Sequence, residues 1–157
     1  MIAKARSAAI VSAIAAVYAV TTVPLGSLGY SWLQVRISEA LTPLPYVFGV
    51  PAVFGLTIGV AVSNIFSPIG LPDLIFGPLL TLAAAIMTYR FNFGKRLVAC
   101  IYPIVINAFG VAAYVSVFYK VPYEITVLTI GVGETLAVII GGYPLLRAIE
   151  YLGRFQR

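Results

Sequence analysis

Charged side chains are absent from three long stretches of the chain, residues 7–35, 40–72 and 97–119. Each stretch exceeds the roughly 20 residues that an α-helix needs to cross the hydrocarbon core of a bilayer. The apolar residues run continuously and do not alternate with polar ones, as they would in the strands of a membrane β-barrel. The pattern therefore predicts an all-α integral membrane protein.

Basic residues predict the orientation of the spans. Basic side chains precede the first span, form the loop of residues 90–96 and recur after residue 146, and such clusters mark the cytoplasmic side. Three evident spans precede the loop, and three crossings from a cytoplasmic N-terminus would place it outside. A fourth crossing restores the parity, and residues 30–43 are the stretch that supplies it. A rival interpretation has five spans, with residues 30–43 as an outer loop.

We therefore predict one transmembrane domain, residues 1–157, with six membrane-spanning helices and both termini in the cytoplasm. A short cytoplasmic C-terminal helix follows the last span, because Arg147, Glu150 and Arg154 are spaced for helical ion pairs. The predicted spans cover residues 5–24, 30–43, 46–66, 73–89, 97–119 and 122–142.

Composition narrows the possible chemistry. Hydrophobic residues make up 61% of the chain and charged residues 10%, against about 25% charged residues in soluble domains. The sequence has no histidine and a single cysteine, Cys100, which argues against the usual zinc sites and against histidine-based catalysis. Gly94-Lys95 lacks the rest of a phosphate-binding loop. We expect no catalytic residue, no metal and no cofactor, and the net charge of +5 reflects membrane edges and not nucleic-acid binding.

Two charged residues fall within the short second span. Arg36 and Glu39 would lie at membrane depth, where a charge costs at least about 2.5–3.5 kcal/mol. They are three residues apart, so one interpretation is that they neutralise each other on one helix face. The other is that both face a binding cavity.

Further polar residues fall at matching depth in other spans and favour the cavity. Glu134 and Asn107 lie midway along their spans, and Asn64 and Asp73 lie near the outer side. One polar pocket that opens outward accounts for all of them. Alternatives remain open for each: Asp73 could cap a helix, the asparagines could form interhelical hydrogen bonds, and Glu134 could be buried in its protonated form.

Aromatic and small residues suggest two contact surfaces. Tyr30 and Trp32 lie at the predicted outer surface, either in the interfacial aromatic belt or as a lid that stacks on a flat ligand. Ala5, Ala9 and Ala13 recur every four residues on the first helix. Small residues at this spacing let another helix approach closely, so they suggest a helical partner inside or outside the chain.

An ordered set of residues resembles the QueT family, the substrate-binding subunits of energy-coupling factor transporters linked to uptake of queuosine precursors. The resemblance extends from about residue 5 to residue 146. It departs from the family at a short outer loop and at Ser63, where alanine is expected. The residues that carry it are Trp32, Arg36, Glu39, Pro45, Asn64, Ser67, Pro68, Asp73, Thr81, Arg90, Asn92, Pro103, Asn107 and Glu134.

The resemblance implies a multi-pass protein of the cell membrane. The alanine face, Ala5, Ala9 and Ala13, would dock onto a transmembrane scaffold subunit, and two cytoplasmic ATPases would supply the energy. The subunit would topple in the membrane to deliver its ligand inward. The implied ligand is a 7-deazaguanine such as 7-aminomethyl-7-deazaguanine.

The resemblance also implies roles for the pocket residues. Glu39 and Glu134 would bind the guanine-type edge and the aminomethyl cation of the ligand, since carboxylates accept charge-assisted hydrogen bonds. Arg36 or Asn107 would meet the carbonyl oxygen, with an aromatic ring stacked on the ligand.

Other functions remain compatible with the sequence. The chain could be a subunit of the same transporter class for another vitamin or nucleobase. It could also be a stand-alone secondary transporter whose carboxylates relay protons. An intramembrane enzyme is disfavoured, because no nucleophile with a neighbouring base is evident.

Overall fold

The computed structural model describes residues 2–31 and 36–155, and regular secondary structure within these ranges is entirely helical. The 3-10 helices Val23–Leu25 and Ile37–Leu41 lie between α-helices, and the π-helix Leu136–Gly142 joins the last two. The α-helices are α1 Ile2–Thr22, α2 Ser27–Tyr30, α3 Pro45–Phe48, α4 Val50–Asn64, α5 Leu71–Arg90, α6 Arg96–Tyr119, α7 Tyr123–Thr135 and α8 Tyr143–Phe155.

Four helical stretches of the described chain are long and apolar enough to cross a membrane. α4 is apolar but shorter, with 15 residues that span about 22 Å at 1.5 Å per residue. The four stretches are Ala3–Leu25, Leu71–Arg90, Arg96–Tyr119 and Tyr123–Leu152.

α1 packs against α4, and the two helices run in the same direction. A Cβ atom built at Gly55 would lie 2.9 Å from Ile14 Cβ, and one built at Gly59 would lie 2.8 Å from Tyr18 Cβ. Both glycines are needed for this close approach, since an added methyl group would meet the neighbouring helix. The contacts advance along both helices in the same order, so the intervening chain must return to the end where α1 begins.

The return is made between α1 and α4, and we call its described residues, 26–31 and 36–49, the crossing segment. At one end of the bundle, the Tyr30 hydroxyl donates to the Ser63 carbonyl oxygen at 2.6 Å. At the other, the Tyr46 hydroxyl donates to Gly94 O at 3.1 Å, within the basic loop. The described parts of the segment therefore reach both ends of the bundle.

The predicted helix over residues 30–43 is wrong as a continuous helix. The backbone is extended at Ser31 and again at Arg36, and a 3-10 helix follows at Ile37–Leu41. Irregular backbone survives at membrane depth only where protein covers it, and Ser38, Glu39 and Thr42 are buried. The residues 32–35 between these pieces lie outside the described chain.

Two other predicted boundaries differ. The span predicted over residues 46–66 is divided at Gly49, whose φ of +63° suits glycine and ends α3 before Pro51 allows α4 to begin. The last span and the predicted C-terminal helix form one continuous helical run, because the π-helix connects α7 to α8.

The basic loop of residues 90–96 and Glu150 of α8 lie at one end of the bundle, which we call the basic end. Arg96 Nε and Glu150 Oε2 are 2.5 Å apart, so the start of α6 meets α8 there. Gly49 contacts the Tyr89 ring at the end of α5, which places the start of α4 at the same end. Because α1 runs parallel to α4, the N-terminus lies at the basic end as well.

Candidate functional site

Two hydrophobic clusters fill the bundle, and polar side chains lie between them. The cluster toward the basic end includes Leu56, Cys100 and Leu146. The cluster toward the opposite end includes Val115 and Ile130. Four buried polar residues from three parts of the chain meet between the clusters, each 4–7% exposed: Arg36, Glu39, Asn107 and Glu134.

The two glutamates share one amide. Asn107 Nδ2 donates to Glu134 Oε1 at 3.0 Å and lies 3.4 Å from Glu39 Oε2. The Tyr18 hydroxyl of α1 donates to the other oxygen of Glu39. Hydrogen bonds to charged groups are worth about 1.5–3 kcal/mol, so these donors hold the carboxylates in place. The arrangement joins α1, α6, α7 and the crossing segment at one point.

Arg36 belongs to a second group of polar contacts on the side away from the basic end. Its Nη2 atom lies 3.6 Å from Asp73 Oδ2, and its Nε atom donates to Gly29 O at 2.8 Å. The Tyr114 hydroxyl donates to Asp73 Oδ1 at 2.7 Å. The Arg36 guanidinium also lies 5.2 Å from the Tyr30 ring centroid, within the range of a cation–π contact. Arg36 is therefore oriented from three sides.

Arg36 and Glu39 line the same cavity, but their side chains bond to different partners. The extended backbone at Arg36 (φ −122°, ψ 111°) directs its side chain to Asp73 on α5. Glu39 accepts from α1 and α6 instead. The described part of the chain shows no ion pair between the two.

A small enclosed cavity lies among these residues. Its volume of about 10 Å³ corresponds to roughly one water molecule. Glu134 Oε2 and Asn107 Oδ1 are buried and have no hydrogen-bond partner, although buried polar atoms are normally satisfied. The lining residues are Arg36, Glu39, Val60, Gly77, Thr81, Asn107, Val111, Tyr114, Ile130 and Glu134.

The charges around the cavity do not cancel. Three carboxylates, those of Glu39, Asp73 and Glu134, face one guanidinium, so the fully ionised group carries a net charge of −2. Burial of an uncompensated charge is costly. Carboxyl groups outnumber cations around the cavity.

The remaining predicted site residues lie beside the cavity. Asp73 is not a helix cap, because Gly70 occupies that position and Asp73 is fully buried. Asn64 Nδ2 donates to the backbone oxygen of Asp73 at 2.8 Å and so helps to hold Asp73 in position. Tyr30 is 2% exposed, so it does not belong to an aromatic belt. Trp32 lies outside the described residues.

Three residues of the site were not predicted as site residues: Tyr18, Tyr114 and Thr81, of which Thr81 was named only for the family resemblance. Spacing gave a usable signal for two of them. Tyr114 follows Asn107 by seven residues and Thr81 follows Asp73 by eight, so each pair shares a helix face. The apolar surroundings of Tyr18 gave no such signal.

The alanine face is exposed in the structure. Ala5, Ala9 and Ala13 are accessible, whereas Ile14 and Tyr18 of the same helix are buried against the bundle. In this chain the face is thus not internal packing.

The helical bundle and its apolar spans define a multi-pass membrane protein with a buried polar site. A family model described as QueT transporter matches residues 8–151. The chain therefore belongs to the QueT transporter family, and this confirms the resemblance. No curated protein and no solved structure matches the chain.

Proposed function

We propose that the protein is the substrate-binding subunit of an energy-coupling factor importer and that its ligand is a 7-deazaguanine with a cationic side group. The observation that carries the proposal is the buried site in which two glutamates are held side by side by Asn107. The function rests on this chemistry together with membership of the QueT transporter family.

The hydrogen-bonding groups of the proposed ligand match those that the site offers. A guanine-type edge presents an N–H and an amino group side by side, and one carboxylate accepts both. An aminomethyl cation then pairs with the other carboxylate. We assign these roles to Glu39 and Glu134, because both line the cavity and Asp73 does not. Arg36 Nη2 has no hydrogen-bond partner and is the donor for the ligand carbonyl.

Ligand entry requires the cavity to expand. The closed cavity has room for about one water molecule, far less than a bicyclic ring needs. We expect the part of the crossing segment at Arg36 to move most easily on ligand entry. Side-chain contacts, and not α-helical hydrogen bonds, hold Arg36 in position.

The partner surface in this proposal is the alanine face of α1, with Ala5, Ala9 and Ala13 in contact with a transmembrane scaffold helix. Exposed small residues suit close helix–helix approach in a membrane. Both termini lie at the basic end, which we assign to the cytoplasm. The two ATPases would then act through the scaffold from that side.

The test is thermal unfolding of the purified protein in detergent with 7-aminomethyl-7-deazaguanine. A ligand at 100 times its dissociation constant stabilises the folded state by about 2.7 kcal/mol. Guanine and riboflavin serve as controls. A selective rise in unfolding temperature supports the proposal. A rise with a control ligand instead indicates a subunit for another vitamin or nucleobase.

The coupling to ATP needs its own measurement. Uptake into liposomes that depends on ATP and on co-reconstituted scaffold and ATPase subunits is expected. Proton-driven uptake by this chain alone would overturn the importer assignment and favour a secondary transporter.

A further inference from the structure

The crossing segment approaches the π-helix exceptionally closely at one place. A Cβ atom built at Gly142 would lie 2.8 Å from Ala40 O and 3.0 Å from Pro43 Cγ. One built at Gly141 would lie 2.8 Å from Ala40 Cβ. We call this pair of approaches the double-glycine contact. Real Cβ atoms are essentially never found this close to another atom, so both positions require glycine.

The contact joins the two parts of the chain that carry the glutamate pair. Ala40 directly follows Glu39 in the 3-10 helix Ile37–Leu41, and Gly141 and Gly142 end the π-helix that begins two residues after Glu134. π-helical turns are rare and concentrate at functional sites. The backbone spacing at Ala40 therefore sets how far Glu39 stands from Glu134 and Asn107.

We propose that Gly141 and Gly142 are positioning residues that fix the separation of Glu39 and Glu134, and thereby set the affinity of the site. This inference rests on the proposed function. In Gly142→Ala, the added methyl group meets a backbone oxygen, which side-chain rotation does not relieve. Restoring an ordinary contact of 3.4 Å from 2.8 Å displaces the crossing segment by about 0.6 Å. Binding groups must be held to within about 0.5 Å of their productive geometry.

The experiment compares four single variants and one double variant with the wild-type protein by affinity for 7-aminomethyl-7-deazaguanine and by unfolding temperature without ligand. Gly142→Ala should bind about 10-fold more weakly. Gly131→Ala is the neutral control, because its Cβ atom would meet Ala108 Cβ at an ordinary 3.5 Å. Gly55→Ala is the destabilised control: it disturbs the α1–α4 contact and should lower the unfolding temperature without changing affinity.

The fourth variant provides a rescue. Gly141→Ala places its methyl group against Ala40 Cβ, so the additional change Ala40→Gly removes the obstructing atom. The double variant should recover most of the unfolding temperature and affinity lost in Gly141→Ala. A merely structural role would predict that Gly55→Ala and Gly142→Ala lose affinity in proportion to their loss of stability.

The outcomes separate the inference from the proposed function. If the wild-type protein does not respond to the probe, the proposed function fails. The rescue of unfolding temperature still decides whether the double-glycine contact exists as described. If the wild-type protein binds while folded Gly142→Ala keeps its affinity within two-fold, the positioning role is overturned and the function stands.

Discussion

Glu134→Gln should raise stability and lower affinity at the same time. Glutamine has the shape of glutamate and keeps an oxygen that accepts the 3.0 Å hydrogen bond from Asn107 Nδ2. The substitution removes one of the negative charges that give the site its net charge of −2. An ordinary core residue would show no such opposition between stability and binding, whereas it is common at functional sites.

The structure bounds the electrostatic part of the effect. The two carboxylate oxygens lie 3.0 and 3.4 Å from the same nitrogen atom, so they are at most about 6.4 Å apart. Two charges at that distance repel by about 2.6 kcal/mol at an effective dielectric constant of about 20. The new amide N–H groups replace an oxygen without a partner and cost about 1–2 kcal/mol.

The net stabilisation is therefore about 1 kcal/mol, which corresponds to a rise of about 2–4 °C in the unfolding temperature of the ligand-free protein. Ligand binding loses one charge-assisted hydrogen bond, about 1.5–3 kcal/mol, so the dissociation constant should increase about 10- to 100-fold. Differential scanning fluorimetry measures the first quantity and isothermal titration calorimetry the second.

Glu150→Gln is the matched control. Glu150 pairs with Arg96 at the basic end, where both side chains are partly exposed. Its removal should cost less than about 1 kcal/mol and leave the affinity unchanged. A Glu134→Gln protein with unchanged affinity would remove Glu134 from the site. If Glu134→Gln weakens binding as expected but does not raise the unfolding temperature, Glu39 and Glu134 do not both carry a negative charge in the ligand-free protein.

Three further substitutions test the surroundings of the site. Tyr114→Phe removes the hydrogen-bond donor to buried Asp73 and should lower the free energy of unfolding by about 1.5–3 kcal/mol. In the control Tyr123→Phe, the lost hydroxyl bond is exposed, so this variant should unfold within about 1 °C of the wild-type protein. Equal unfolding temperatures of the two variants would contradict the role of Asp73 as a buried anchor. Gly59→Ala should destabilise the α1–α4 contact by about 1–3 kcal/mol, measured by thermal unfolding, and a neutral result would refute the close approach. Ala9→Leu should abolish co-purification with the scaffold subunit while ligand binding persists, and intact assembly would exclude the alanine face as the docking surface.

Long apolar helices were predictable because their cause is local. Continuous apolar sequence between charged residues is enough to predict a membrane helix, and α5 and α6 end within about two residues of their predicted positions. Charge alone also predicted that the chain returns through the bundle between residues 30 and 46, which the parallel packing of α1 and α4 requires.

The conformation of the crossing segment was not predictable from local sequence. Its backbone depends on partners far away along the chain, such as the contact of Tyr46 with the basic loop. The same limit applies to Tyr18, whose hydroxyl finds Glu39 only after α1 and the 3-10 helix pack together. Asn107 and Glu134 were recognisable in advance because a polar residue in an apolar span needs a partner.

The break in the crossing segment explains how the site keeps its charge. On a continuous helix, Arg36 and Glu39 would lie on one face and pair with each other. Neither side chain of this neutral pair would then be available to bind a ligand. The extended backbone at Arg36 sends its guanidinium to Asp73. Glu39 is left beside Glu134, with hydrogen bonds from Tyr18 and Asn107 and no direct ion pair to Arg36 within the described residues. Under the proposed function, the departure from regular helix thus leaves a pair of glutamates available for a cationic ligand.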